Sequence, residues 1–143
     1  MPQYYTHMSE RPELKGILET ILYCDSFNED KTREFYRDVL GFRQMQGLPF
    51  GYRAGNSNHV FLLFNRDETG FQDRPPAHGA TGPVHTCFEA APGTYDDWKH
   101  YLHSRGVAMR QEVTWGSGQR SIYFDDPAGN VLEMAEGDFW PEV

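Results

Sequence analysis

The sequence predicts an α+β fold in which two βαβββ modules form a curved mixed sheet, a cup with the helices outside. Two observations support it. The same order of strand and helix patterns occurs twice along the 143 residues, and a polar stretch rich in Pro and Gly separates the two copies. Consecutive strands without intervening helices disfavour a doubly wound fold, and two capped helices disfavour an all-strand sandwich.

The first module is predicted at about residues 16–65, after a polar leader at residues 1–15. Residues 16–25 are rich in apolar and β-branched side chains, which predicts a strand. Residues 28–40 have apolar side chains at helical spacing, which predicts an amphipathic helix that ends before Gly41. The other strands of this module are predicted at residues 42–46, 50–54 and 59–65.

A linker at residues 66–81 precedes the second module, which is predicted at about residues 82–140. When the second module is aligned with the first, His85 falls on Glu19 and Val131 falls on Val60, so the two modules are interpreted as an internal repeat. The elements of the second module are predicted as strands at residues 83–90, 107–114, 119–124 and 131–136 and a helix at residues 95–105.

Composition narrows the possible partners and location of the protein. The chain has 13 basic and 21 acidic residues, a formal charge of −8, which disfavours nucleic acids and membrane surfaces as partners. Cys24 and Cys87 lie in apolar runs, which predicts two small buried side chains rather than a disulfide framework. Because no apolar stretch has transmembrane length and the start lacks a signal-peptide pattern, we expect a cytoplasmic protein.

Three side chains are candidate metal ligands, namely Glu19, His85 and Glu133. Successive side chains of a strand alternate between its two faces, so each of the three is predicted on the face opposite to the helices. Singly, each is also explained as a solvated or hydrogen-bonded strand residue. Together they offer oxygen and nitrogen donors that leave coordination positions open for a substrate. Two carboxylates in one cleft are costly without a cation, so we expect one divalent metal ion.

Three segments of the chain resemble the vicinal-oxygen-chelate superfamily, which includes glyoxalases, bleomycin resistance proteins and extradiol dioxygenases. They are ILETILYCDSFNEDKTREFYRDVLGF at residues 17–42, GPVHTCFEA at residues 82–90 and SIYFDDPAGNVLEMAE at residues 121–136. The resemblance covers residues 16–140. Its most specific part is the turn from Asp126 to Asn130, which is expected to direct Glu133 into the cup.

The resemblance implies metal ligands on the first and last strand of each module, which here are Glu19, His85, Leu62 and Glu133. Leu62 cannot bind a metal. This departure argues against the four-ligand glyoxalase I plan and favours the three-ligand plan of extradiol dioxygenases and fosfomycin-type thiol transferases. Those relatives usually have His where this chain has Glu19, so the sequence does not encode a 2-His-1-carboxylate iron site.

Further side chains are candidates for substrate binding. Tyr23 and Tyr123 have the same alternation phase as the ligands. Arg120 lies before the hairpin strand and beside Trp115. His78 lies in the linker, which could cover the cup. Core packing, or solvation in a loop, also explains each of them. These candidates are Tyr23, Tyr123, Arg120, Trp115 and His78.

The predicted function is a metal-dependent enzyme of the dioxygenase or lyase type that acts on a small oxygen-chelating substrate, with Glu133 also catalytic. The ion is expected to be Fe, Mn, Ni or Zn. The alternative is a non-catalytic drug-binding protein of the bleomycin-resistance type, whose ligand binding would be insensitive to chelators. A homodimer is expected, because the strand edges of a two-module sheet are suited to cover by a second copy.

Overall fold

The computed structural model describes residues 11–80 and 82–143 and confirms the two predicted modules. Residues 1–10 of the predicted leader and one linker residue lie outside these ranges. No helix in the described ranges is long and apolar enough to span a membrane.

The first module contains β1 (Glu19–Cys24), α1 (Glu29–Glu34), β2 (Arg43–Met45), β3 (Leu48–Arg53) and β4 (Val60–Asn65). A short helix, α2 (Arg66–Thr69), follows, and the second module contains β5 (His85–Glu89), α3 (Tyr95–Ser104), β6 (Gln111–Thr114), β7 (Arg120–Asp125) and β8 (Val131–Ala135).

Each module forms one four-stranded mixed sheet with the same strand order. The orders are β1-β4-β3-β2 and β5-β8-β7-β6, in which the first pair of strands is parallel and the others are antiparallel. Glu19 pairs with Val60 in the first sheet, and His85 pairs with Val131 in the second. The strand pairing therefore confirms the internal repeat, because the residues that align in sequence occupy equivalent positions in the two sheets.

Two helical segments differ from the sequence prediction. The first predicted helix is α-helical only over Glu29–Glu34 and continues as a π-helical turn over Phe35–Val39. The linker, predicted without regular structure, begins with α2. The side chain of Asn65 accepts a hydrogen bond from the backbone N–H of Asp67 and so caps this helix. The Asn cap followed by acidic residues in the first turn was the sequence signal for α2.

The helix-facing sides of both sheets share one hydrophobic core. The ring of Phe42 lies edge-on to that of Phe88 at 5.3 Å, and Phe35 packs against Phe124 at 6.5 Å between ring centroids. The hydroxyl of Tyr101 on α3 also donates, at 2.7 Å, to the backbone carbonyl of Val39 in the helical segment of the first module. The modules thus contact each other through their helix-facing sides. We call the opposite side of each sheet its cup face.

The turn between β7 and β8 joins the two modules. The carboxylate of Asp126 is buried and accepts hydrogen bonds from the backbone N–H groups of Ala128 and Asn130, from the Asn130 amide and from the Tyr36 hydroxyl of the first module. The Asn130 amide also donates to the carbonyl oxygen of Tyr23 on β1 at 2.9 Å. Burial raises the pKa of Asp126, although these donors act in the opposite direction.

Replacing Gly129 in this turn should weaken the fold. Gly129 has a φ of 85°, a left-handed conformation in which a β-branched side chain is strained. Gly129→Val should therefore lower the free energy of unfolding by about 1–2 kcal/mol and reduce metal affinity. Urea unfolding followed by circular dichroism measures the first effect. Gly116→Val is the control, since Gly116 lacks a positive φ and has open space at its Cβ position. Equal stability of the two variants would contradict the role of the turn.

Candidate metal centre

Two of the three predicted ligands, His85 and Glu133, lie side by side on the cup face of the second sheet. Leu132 and Met134 point into the core, so strand alternation directs Glu133 to the cup face. Glu133 is 5% exposed, and the side chain of His85 is 46% exposed. Their Nε2 and Oε1 atoms are 3.1 Å apart. The parallel pairing of β5 with β8 produces this juxtaposition.

The tautomer of His85 is fixed by a backbone carbonyl. Its Nδ1 lies 2.7 Å from the carbonyl oxygen of Val131, and because a carbonyl only accepts, Nδ1 must carry a hydrogen. In the neutral ring, the lone pair of Nε2 then points at the Glu133 carboxylate. That contact is repulsive unless a proton or another cation lies between the two atoms. A histidine that donates Nδ1–H to a carbonyl and presents Nε2 is the usual arrangement of a metal ligand.

Glu133 supports the same interpretation. Its Oε2 atom is buried and makes no hydrogen bond of normal geometry among the described residues, although Tyr123 and Cys87 lie near enough for Glu133 to raise the pKa of both groups. The 3.1 Å between Nε2 and Oε1 also fits two ligands of one ion, since donors at roughly 2.1 Å from a metal lie roughly 3.0–3.4 Å from each other. These donor atoms therefore fit a divalent cation.

Tyr123, a predicted substrate-binding residue, lies beside this pair. It occupies the position on β7 opposite Glu133, and its ring stacks on that of His85 at 5.9 Å with an interplanar angle of 22°. Desolvation, followed by the neighbouring Glu133 carboxylate, raises the pKa of Tyr123 to about 12. The phenol consequently stays neutral at physiological pH and can donate a hydrogen bond to an oxygen of a bound ligand.

Glu19, the third predicted ligand, lies on the cup face of the other sheet. It is exposed and occupies the position that corresponds to His85, whereas the counterpart of Glu133 is Leu62, paired with Ile21. Among the described residues, no three His, Cys, Asp or Glu side chains are close enough to hold a metal together. Within one chain the structure therefore brings together two of the three predicted ligands and leaves Glu19 apart.

Tyr23 and His78, both predicted as substrate-binding residues, contact each other on the cup face of the first sheet. The Tyr23 hydroxyl and His78 Nδ1 are 2.7 Å apart, and the rings of His78 and Phe64 make a T-shaped contact at 5.2 Å between centroids. Burial raises the pKa of Tyr23. The linker is thus anchored over the first sheet by His78.

Arg120, also predicted as a substrate-binding residue, lies in contrast on the helix-facing side of β7. Its guanidinium lies 4.3 Å from the centre of the Tyr95 ring and pairs with Glu136 at 2.7 Å and Asp96 at 3.1 Å. The physical reason is strand alternation: the neighbouring Ser121 faces the cup, so Arg120 must face α3. The side chain ties α3 to the end of β8.

Trp115, another predicted substrate-binding residue, lies at the rim of the second cup face. Its Nε1 donates to Ser121 Oγ at 3.0 Å, and its ring stacks on Phe139 at 5.3 Å. The adjacent Trp140 is 76% exposed. Sequence reasoning did not include the two C-terminal aromatic residues, because they lie beyond the last strand and carry no periodic signal.

The prediction for the two cysteines is half confirmed. Cys24 is fully buried, but Cys87 is exposed on the cup face, opposite Glu133. Desolvation at the sheet surface and the nearby carboxylate raise the pKa of Cys87 to about 12, so the thiol stays protonated. Its alternation phase, shared with His85, was the sequence signal for this position.

Comparison with known proteins shows the family. The model of the Glyoxalase/Bleomycin resistance protein/Dioxygenase superfamily matches residues 27–134, and the chain belongs to this superfamily. It is 32% identical to a lactoylglutathione lyase from Agrobacterium tumefaciens, covering 92% of this chain and 100% of that one with a TM-score of 0.78.

More distant structures share the fold. A fosfomycin resistance protein from Listeria monocytogenes is 16% identical, with 89% of this chain and 94% of that one covered and a TM-score of 0.64. A variant of that protein is described in complex with Mn(II). A glyoxalase/bleomycin resistance protein/dioxygenase from Nocardioides is 21% identical, with 96% and 93% covered and a TM-score of 0.67.

Neutralising Glu133 should not destabilise the metal-free protein. The buried carboxylate has one oxygen without a partner among the described residues, whereas the amide of Glu133→Gln can donate to the Nε2 lone pair of His85. We expect the variant, after dialysis against chelator, to match or exceed the parent's free energy of unfolding. Glu68→Gln, an exposed change on α2, is the matched control. A loss above about 1 kcal/mol relative to that control would show that the carboxylate is structural.

Proposed function

We propose that this protein is a divalent-metal-dependent enzyme, of the dioxygenase or lyase type, that acts on a small substrate bearing two neighbouring oxygens. One observation carries the proposal: His85 Nδ1 donates to a carbonyl, so Nε2 is the ring nitrogen that faces the buried carboxylate of Glu133, whose Oε2 has no partner among the described residues. A cation bound by both side chains would offset the charge of the buried carboxylate and accept the Nε2 lone pair.

Glu19, His85 and Glu133 would hold the ion. It would bind the two substrate oxygens and stabilise negative charge that develops on them. Glu133 is also the residue that we assign to catalysis, because its carboxylate would lie next to the substrate bound at the ion. Tyr123 would donate a hydrogen bond to the bound substrate from the same wall of the cup.

We place Glu19 and the His85–Glu133 pair of one site on two copies of the chain. The contact between modules runs through their helix-facing sides, so the two cup faces of one chain point away from their shared core. The β1 and β5 edges each lack a neighbouring strand among the described residues. A homodimer that sets the first cup face of one chain against the second cup face of the other would cover these edges and bring the equivalent positions Glu19 and His85 together.

The type of reaction is narrowed by Leu62. A buried leucine in place of the fourth ligand leaves a three-ligand set, which disfavours the glyoxalase I reaction although the chain is 32% identical to a protein described as lactoylglutathione lyase. Oxygen uptake with catechols and turnover of S-lactoylglutathione, each with Fe²⁺, Mn²⁺, Ni²⁺ or Zn²⁺, separate the two reaction types. The three-ligand set predicts activity with the first substrate or with another lyase substrate, and none with the second.

Metal should stabilise the protein through these three ligands. An ion that binds only the native state, at about a hundredfold over its dissociation constant, adds about 2.7 kcal/mol, which raises the melting temperature of a domain of this size by several degrees. Differential scanning fluorimetry with Mn²⁺, Ni²⁺ or Zn²⁺, before and after chelator, measures the shift. Glu133→Gln, His85→Ala and Glu19→Gln should each lose most of it.

The exposed His103 on α3 provides the control for this experiment. His103→Ala removes an imidazole of the same type and should keep the full metal-induced shift. An identical response of the parent and all four variants to metal and chelator would remove the metal centre from the proposal.

A mixed dimer tests whether the site is shared between chains. In a dimer of a Glu19→Gln chain and a Glu133→Gln chain, one shared site carries both changes and the other carries neither. Two different affinity tags isolate this heterodimer, and we expect it to bind about one tightly held ion, whereas each variant homodimer binds none. A heterodimer that also binds none would place all three ligands in one chain. A Glu19→Gln homodimer that still binds metal would exclude Glu19 as a ligand. A monomeric mass by light scattering would contradict the shared site outright.

A drug-binding protein without chemistry is the second candidate. Two observations favour it: the chain has a formal charge of −8, which suits a cationic ligand, and stacked aromatic rings, Trp115 on Phe139, line the rim of the second cup face. Tight binding of a cationic aromatic drug that is unaffected by chelator and by Glu133→Gln would support this candidate over the enzyme.

A further inference from the structure

We infer that His78, positioned by Tyr23, is a specificity-determining residue that donates a hydrogen bond to an acceptor oxygen at the far end of an elongated substrate. The inference rests on the proposed function, since it takes the chelated oxygens of the substrate to lie at the ligands Glu19, His85 and Glu133. The inference adds His78 as a second point of contact with the substrate. It also defines the substrate class: a molecule whose chelated oxygens are linked by an extended arm to a hydrogen-bond acceptor.

His78 is held from three sides. Its Nδ1 lies 2.7 Å from the Tyr23 hydroxyl, its ring makes a T-shaped contact with that of Phe64 and its backbone N–H donates to the carbonyl of Thr69 at 3.0 Å. Tyr23 and Phe64 are paired neighbours on β1 and β4, so the imidazole rests on a cross-strand pair of the cup face. Tyr23 is itself tied to the second module through the Asn130 amide. A linker histidine with a purely solvated role would need none of these contacts.

The hydrogen bond between Tyr23 and His78 makes the other ring nitrogen of His78, Nε2, a hydrogen-bond donor. Burial raises the pKa of Tyr23, so its phenol is neutral, and its hydrogen has no other acceptor among the described residues than His78 Nδ1. A half-buried phenol that donates leaves Nδ1 as acceptor, and the hydrogen of the neutral imidazole then resides on Nε2. That N–H has no partner among the described residues and lies on the far side of the ring from Tyr23.

Space for a ligand adjoins His78. His78 is one of the residues that line a cavity of about 430 Å³ between α2 and the linker, together with Arg66, Asp67 and Phe71. The two charged residues have opposite signs, so the cavity itself imposes no strong preference for charge. The donor Nε2–H of His78 therefore sets the requirement for an acceptor oxygen.

The distance along β1 gives the length of the substrate. Tyr23 follows Glu19 by four residues on the same face, a separation of roughly 13 Å between Cα atoms. A ligand that reaches from the metal ligands to His78 thus needs an arm of roughly 10 Å, longer than an unsubstituted catechol. The second module has no equivalent, because Glu89 and Ala135 occupy the positions that correspond to Tyr23 and Phe64. The first module would therefore recognise the arm while the second holds the reacting end.

The experiment compares matched ligands on the zinc-loaded full chain by isothermal titration calorimetry at pH 7.5. The probes are 3-(3,4-dihydroxyphenyl)propionate and its amide, which carry an acceptor oxygen on an arm, and 4-ethylcatechol, which does not. We expect the acceptor to tighten binding about tenfold, the contribution of one hydrogen bond to a ligand oxygen. His78→Asn keeps a group that can bond to Tyr23 but lacks Nε2, and should lose this advantage. Tyr23→Phe should reduce it, and His103→Asn should keep it.

The outcomes separate this inference from the proposed function. An equal advantage in the parent and His78→Asn, or no advantage in the parent, would overturn the role of His78 while 4-ethylcatechol binding still supports the metal site. Failure of all three probes to bind would overturn both. Nitrogen-15 NMR of the metal-free protein gives a readout without any ligand: the tautomer with hydrogen on Nε2 is expected for His78, and hydrogen on Nδ1 would contradict the donor assignment. His78→Asn should retain the parent's zinc affinity, which excludes a general loss of structure.

Discussion

The buried carboxylate of Asp126 is the constraint on which the rest of the structure depends. A charge in the core is costly, and here both oxygens are satisfied by donors from the turn and by the Tyr36 hydroxyl. The turn that these bonds fix sets the register of β8, and the register decides that Glu133 faces the cup rather than the core. Because Tyr36 belongs to the first module, the same carboxylate also joins the modules.

The sequence predicted most of the fold because its signals are local. Nearly every strand and helix followed from alternation, helical spacing and caps, and the alignment of the two modules anticipated the strand pairing. Alternation also correctly placed Glu133 and Tyr123 on one face. The same alternation places Arg120 on the opposite face, because Arg120 and Ser121 are consecutive residues of one strand. The features of the site that depend on the packing of separate elements against each other could not be predicted from the sequence.

Two such features are the location of Glu19 and the anchoring of His78. Equivalent register places Glu19 and His85 at the same height in their sheets, but no local pattern specifies whether the two sheets of one chain face each other or turn apart. Packing decides this, through contacts such as that of Phe42 with Phe88. His78 lies 55 positions from its partner Tyr23 in a linker without periodicity, so its contact is likewise a product of tertiary structure.

The two modules have the same topology but different chemistry. The second sheet carries His85, Glu133 and Tyr123, whereas the equivalent positions of the first are Glu19, Leu62 and Gly51. A repeat that retained all ligands in both halves would bring four donors to each cup and saturate the ion more fully. Leu62 makes this part of the first cup face apolar, and Tyr23 with His78 adds hydrogen-bonding capacity farther along it. The asymmetry thus gives the two cup faces of one scaffold different chemistry: the second carries His85, Glu133 and Tyr123, and the first carries Tyr23 and His78 on a more apolar surface.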